Sequence, residues 1–200
     1  MIISVHIPKT AGSTFQLILK KLFGKKYYHD DPIEGKEVPE DVQCIHGHFK
    51  ATKYLEEFPG AMKIIWLRDP VDRFISEYYY RRDMASDRPD TRTAFIRAGA
   101  SLEQITRSPM FHNMMTTFLD GVPLEDFDFI GLTEQFDRDI QRFFNMIGAV
   151  RVEWKDLLVN TSDEYKRAVS SIEPELVAKI KECNRQDIAL YREGLVLTDV

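Results

Sequence analysis

Cysteine is scarce in this chain: Cys44 and Cys183 are the only two. A disulfide framework needs more, and a chain of 200 residues buries a core without such staples. Both cysteines sit in apolar surroundings, one on a predicted strand and one on a predicted helix, and read as reduced, buried thiols. No Cys/His cluster shows metal-ligand spacing, so no metal site is expected. No apolar run approaches the roughly 20 residues of a membrane span. The N-terminus, MIISVHIPKT, lacks both the basic stretch and the long apolar core of a signal peptide. The expectation is a cytoplasmic protein, or a piece cut from a longer one, with no membrane partner. Basic excess is missing too: 27 Lys and Arg stand against 32 Asp and Glu, a net charge of −5. That argues against a general nucleic-acid binder, while leaving room for a local basic pocket around one anionic ligand. Repeats, low-complexity tracts and linkers are absent, so residues 1–200 read as one α/β domain with room for a small helical lobe.

What is present is an alternation of strands and helices. Ile2 to Ile7 is short and β-branched and reads as a buried strand. The loop Pro8-Lys9-Thr10-Ala11-Gly12-Ser13 follows, and then Phe15, Ile18, Leu19, Leu22 and Phe23 recur at helical spacing. Residues 24–41 are polar and loop-like. Val42 to Ile45 reads as a second strand running into His46-Gly47-His48. Lys63 to Leu67 is a third; beyond it Asp69 and Pro70 suit the N-cap and first position of a helix with the stripe Val71, Phe74, Ile75, Tyr78 and Tyr79. Residues 83–100 read as a surface excursion, and residues 101–119 as helical with a break near Pro109. Phe127 to Leu132 is a fourth strand. Helices are predicted over 134–147, 162–171 and 174–192. The pattern predicts a P-loop-like three-layer fold, a central parallel sheet flanked by helices, with the ligand at the carboxyl ends of the strands.

Three unusual clusters fall at those ends. HIPKTAGST, residues 6–14, puts a glycine-containing loop between a strand and a helix N-terminus, where backbone amides and the helix dipole favour an anion. Lys9 adds a point charge, and Thr10, Ser13 and Thr14 add hydroxyls. The plainer reading is a loop in which Ser13 or Thr14 caps the helix. The loop is not a Walker A motif, because its lysine precedes the glycine. Arg68 leaves a buried strand and Ser76 lies two turns along the next helix; together they could clamp a phosphate, or Arg68 could pair with Asp69 or Asp72. His46 and His48 could supply a base near neutral pH, or form a structural or weakly metal-binding pair.

PKTAGST resembles the 5′-phosphosulfate loop of sulfotransferases, and the form HIPKTAGS is closest to the carbohydrate branch, which includes the heparan sulfate 2-O- and 6-O-sulfotransferases. RDPVDRFISEYYYRR, residues 68–82, is similar to that family's 3′-phosphate motif, and His46-Gly47-His48 looks like its H-G-H. FDFIGLTE, residues 127–134, with the helix after it and Val159-Asn160-Thr161-Ser162, resembles the back half of the family, where the chain closes over the nucleotide. The resemblance implies that Lys9, Thr10, Ala11, Gly12, Ser13 and Thr14 hold the phosphosulfate of 3′-phosphoadenosine 5′-phosphosulfate (PAPS). It implies that Arg68 and Ser76 hold the 3′-phosphate, that His48 is the general base with His46 in support, and that Lys9 also acts in catalysis. PAPS would be the cosubstrate and 3′-phosphoadenosine 5′-phosphate (PAP) the product, with no metal required. The partner would be an acceptor with a free hydroxyl, a sugar or glycan.

Two rival readings remain at this point. A P-loop nucleotide kinase needs a magnesium-binding hydroxyl after its P-loop lysine and usually an Asp ending a buried strand, where this chain has Arg68. A non-catalytic PAP-binding module would have no use for Lys9 and His48 together. Elsewhere, Asp187 falls inside an apolar arc and is expected to anchor a basic residue behind the cofactor site. Lys155, Lys166 and Arg167 are cations near the nucleotide-closing segment. Arg81, Arg82, Arg88 and Arg92 read as a solvated face, the alternative being a surface for an acidic glycan.

Overall fold

The computed structural model describes residues 1–30, 37–54, 57–84, 90–149, 153–154 and 171–198. The helix predicted over 162–171 lies outside these but for Ser171, as do Arg88, Lys155, Lys166, Arg167 and the 159–162 segment. In chain order the elements are β1 (Ile2–Val5), α1 (Gly12–Phe23), β2 (Tyr27–Asp30), β3 (Cys44–Gly47), β4 (Met62–Leu67), α2 (Pro70–Asp83), α3 (Thr91–Arg97), α4 (Leu102–Ile105), α5 (Met114–Leu119), β5 (Phe129–Leu132), α6 (Phe136–Ile147), α7 (Pro174–Cys183) and α8 (Arg185–Thr198). No helix among the described residues is long and apolar enough to cross a membrane.

The strands form one sheet in the order β2-β3-β1-β4-β5, and every pairing is parallel. Alternation along the strands feeds two cores, as period-two geometry requires. Ile3, Val5, Ile45, Ile65, Leu67, Ile130 and Leu132 face one way, against Met114, Met115 and Leu119 of α5 and Leu190 and Leu195 of α8. Ile2, Cys44, Ile64, Trp66 and Phe129 face the other, against Phe15, Ile18 and Leu19 of α1 and Ile140, Phe143 and Phe144 of α6. This is the three-layer α/β architecture that the sequence predicts. A third cluster, built on Phe74, Ile75, Ile96, Leu102, Ile105, Phe111 and Ile180, packs α2, α3, α4 and α7 together. The predicted stripe Val71, Phe74, Ile75, Tyr78 and Tyr79 is the α2 side of it.

Several boundaries differ from the sequence reading, each for a physical reason. β2 falls in the stretch read as loop, because Tyr27-Tyr28-His29-Asp30 is a half-buried edge strand with no apolar run to betray it. β3 extends through His46 and Gly47, which therefore lie in the sheet and not after it. Residues 83–100 include α3, capped by Asp90, whose side chain accepts from the Thr93 amide. The long helix predicted over 174–192 is two helices that meet at Asn184.

Candidate active site

The loop between β1 and α1 is held in a conformation that side chains ordinarily avoid. Lys9 and Ala11 both have left-handed backbones, with φ of 71° and 63°. Such residues cost of order 1–3 kcal/mol each and concentrate at functional sites. Left-handed residues in such a loop, ahead of a helix N-terminus, are one of the backbone arrangements that suit an anion. Ala11 is the N-cap of α1 and supplies no side-chain cap. The reading of Ser13 or Thr14 as that cap is thereby corrected. Ser13 is exposed and Thr14 buried. Thr10 is buried and its hydroxyl donates to the Ile7 carbonyl at 2.9 Å, so that donor closes the loop on itself.

Gly12 serves a purpose the sequence did not suggest. A Cβ there would meet the imidazole of His6, lying 2.7 Å from Cε1 and nearer still to Cδ2 and Nε2. His6, the residue at the head of the loop, packs beneath it and is its floor. Its ring also stacks on His48 with centroids 4.0 Å apart and on His46 at 4.9 Å. Strand register explains the column: His29 lies opposite His46, and His46 opposite Ser4, on the α1 side of the sheet.

The two histidines of H-G-H have different fates. His46 is 1% exposed, and its Nδ1 is 2.9 Å from the Ser4 hydroxyl. Burial, reinforced by the His29 and His48 imidazoles, drives its pKa down to about 3. It stays neutral and enclosed, beyond the reach of an acceptor. His48 is open to solvent on one side, and its Nδ1–H donates to the His6 carbonyl at 2.7 Å. A carbonyl only accepts, so the neutral ring carries its proton on Nδ1 and keeps a lone pair on Nε2. Partial desolvation lowers the His48 pKa, against the opposing pull of the His6 carbonyl. Two charged imidazoles 4.0 Å apart would repel, which also favours the neutral ring.

On the other side of the loop, Arg68 leaves the end of β4 and donates from Nη1 to the Lys9 carbonyl at 3.1 Å. Asp69 caps α2, accepting from the Val71 and Asp72 amides, with Pro70 at the first position as predicted. Ser76 is half-buried on α2, in the turn before Tyr80. The Lys9 ammonium lies 3.9 Å from the centroid of the Tyr80 ring. Burial lowers its pKa to about 8; Glu77 opposes the fall, and Arg68, Arg81 and Arg73 add to it. The structure thus brings Lys9, the loop and Arg68 into one cluster, and ties His48 to the same loop through His6.

Behind the site lies a charged network that the sequence reading overlooked. Arg73 is fully buried and donates to Glu77 at 3.2 Å. Arg81 donates to Glu77 from Nε at 2.5 Å and to both oxygens of Asp90 at 2.7 and 2.8 Å. Burial alone would raise the Glu77 pKa, but the two guanidiniums overcome it and hold the carboxyl below its ordinary value. Arg81 is therefore not part of a solvated face. The R-x-x-x-E-x-x-x-R spacing of 73, 77 and 81, one helical face, was the available signal.

Asp187 also departs from expectation. It is buried, and it accepts from the Met115 amide at 3.0 Å and from the Thr116 amide and hydroxyl at 2.8 Å each, capping α5 with no basic partner among the described residues. Asn113 returns the favour, its side chain accepting from the Gln186 and Asp187 amides at the start of α8.

The site thus joins a loop at a helix N-terminus, an ammonium beside it, and an imidazole tied to the same loop through His6. The profile of the family described as "Sulfotransferase family" matches residues 1–192. The chain belongs to the sulfotransferase family, and it is an enzyme of sulfuryl transfer. Among solved structures it is similar to a sulfotransferase from Alicyclobacillus acidocaldarius, with 15% identity and a TM-score of 0.42, over 96% of this chain and 98% of that one. No functionally curated protein matches it in sequence.

Proposed function

We propose that this enzyme transfers the sulfuryl group of PAPS to a hydroxyl of a carbohydrate acceptor, with His48 as general base. The observation that carries the reading is the fixed tautomer of His48, whose Nδ1–H is committed to the His6 carbonyl beneath the phosphate loop. His48 takes the acceptor proton at Nε2 as the acceptor oxygen bonds to sulfur. Lys9 donates toward the oxygen that bridges sulfur and phosphorus as that S–O bond breaks, and the 5′-phosphate leaves as part of PAP. Loop amides from Lys9 to Thr14 cradle the phosphosulfate. Arg68 and Ser76 hold the 3′-phosphate. His46 touches neither substrate in this reading; it braces the ring column from below.

The test is turnover of PAPS against a panel of sugars, with products identified by mass. His48→Ala lowers kcat roughly 10²–10⁴-fold, the usual size of a general-base contribution, with PAP affinity nearly unchanged. PAP raises the melting temperature well above the effect of AMP. Equal shifts from PAP and AMP would remove the 3′-phosphate assignment, and full turnover by His48→Ala would remove the base.

A further inference from the structure

Tyr80 lies on α2 one turn beyond Ser76, on the helix face that carries the 3′-phosphate serine of the reading above. The residue is 42% exposed. An exposed tyrosine has no packing reason to be there, yet its face is occupied: the Lys9 ammonium stands 3.9 Å from the ring centroid. This is close range for a cation–π contact.

The surroundings explain why such a contact matters. Lys9 projects from a left-handed backbone position, and the like charges of Arg68, Arg81 and Arg73 act on its ammonium. Glu77 is the carboxylate that attracts it, but Arg73 and Arg81 already grip both Glu77 oxygens. Among the described residues, no carboxylate pairs with the Lys9 ammonium and no carbonyl accepts from it. With no carboxylate paired to its ammonium among the described residues, a long flexible lysine would swing toward bulk water. A ring face restrains it without neutralising its charge, so an incoming anion has no protein carboxylate to displace.

We propose that Tyr80 is a positioning residue for Lys9, holding its unneutralised ammonium at the mouth of the phosphate loop so that it serves the transfer step more than nucleotide affinity. The proposal rests on the role given to Lys9 above. Three variants test it. Tyr80→Leu lowers kcat about 5- to 30-fold, while the Kd of PAP stays within about twofold. Tyr80→Phe keeps the ring face and keeps kcat within about twofold of wild type. In a Lys9→Ala background, Tyr80→Leu causes no further loss, because the two act as one unit. A second readout is independent of turnover. The ε-methylene protons of Lys9 carry an upfield ring-current shift in NMR spectra of the wild type and Tyr80→Phe, and lose it in Tyr80→Leu.

A missing shift in the wild type, a Tyr80→Phe enzyme as slow as Tyr80→Leu, or a full additive loss on top of Lys9→Ala would each overturn the role of Tyr80. A Lys9→Ala enzyme with undiminished kcat would instead sink the catalytic role of Lys9. The ring-current shift would then persist and tell the two failures apart.

Discussion

Replacing Gly12 by alanine tests the wedge between the phosphate loop and the base. Gly12 is the first residue of α1, where alanine would ordinarily help by up to about 0.5–1 kcal/mol through backbone entropy. Here the new methyl would lie 2.7 Å from Cε1 of His6 and closer to two other ring atoms. Comfortable carbon contacts are about 3.5–4.0 Å, so the ring or the loop must shift by roughly 1 Å or more. The ring has nowhere to go, because His46 and His48 stack on it at 4.9 and 4.0 Å. Overpacking of this kind costs about 1–3 kcal/mol. Set against the helix gain, the net is destabilisation of roughly 1–2 kcal/mol, or about 2–8 °C in Tm for a chain of this size. Urea unfolding of Gly12→Ala measures it directly. His6→Ala in the same background removes the obstacle, so the double variant is less destabilised than the sum of the singles. A Gly12→Ala protein as stable as wild type, or a strictly additive double variant, would refute the wedge.

Acid should weaken the fold through the histidine column. The folded pKa of His46, about 3, lies below its unfolded value near 6.5, and that of His6 is also far down. The unfolded chain therefore binds more protons in that window. Stability contributed by the neutral rings is complete above about pH 6.5 and declines as pH falls toward 3, by up to about 1.4 kcal/mol per pH unit for each ring. Urea midpoints measured at pH 7, 5.5 and 4.5 that do not fall would contradict the enclosed neutral column. Lys9, with its pKa near 8, should lose its charge in the free enzyme as pH rises through that value. The kcat/KM profile should then bend downward near pH 8, and Lys9→Arg should remove that limb. Glu77→Gln leaves Arg73 and Arg81 without their shared carboxylate and should cost about 3–5 kcal/mol, far more than a surface change. A loss under 1 kcal/mol in urea titration would show that the network does not depend on that charge.

Layer architecture was legible because it rests on local signals. KIIWL is an apolar run too short for a helix, and Asp69-Pro70 marks a helix start by cap chemistry and a fixed φ. The loop was legible for the same reason, as strand, Lys-Thr-Ala-Gly and helix stripe in sequence. What escaped notice depends on long-range burial. The place of His6 beneath the loop follows from its position at the head of it, but its stacking on His46 and His48 comes only with the register of β1 and β3. Arg81 reads as a surface cation in YYYRRD until α3 brings Asp90 and Thr93 to it. Asp187 could be recognised as a buried acid from its arc, but its partners are amides 71 and 72 residues away in sequence. No side-chain pattern announces a backbone donor.

Net charge, finally, says little about the charge of the ligand. The chain carries −5 overall, yet the groups acting on Lys9 are three guanidiniums and one carboxylate. Screening at physiological salt confines exposed charges to a reach of about 8 Å, so distant surface acids scarcely register inside the crevice. The nearby groups do, and they are arranged unevenly. Glu77 spends its charge on Arg73 and Arg81, and Asp90 further engages Arg81, while Lys9 at the loop faces no carboxylate partner among the described residues. Buried Glu77 and exposed Asp90 thus stabilise the scaffold guanidiniums without pairing with the ammonium. Burial, with the three guanidiniums adding to it against Glu77, keeps the Lys9 pKa low enough to respond to its neighbours. An arriving polyanion favours the protonated form and so strengthens the charge on which its own binding draws.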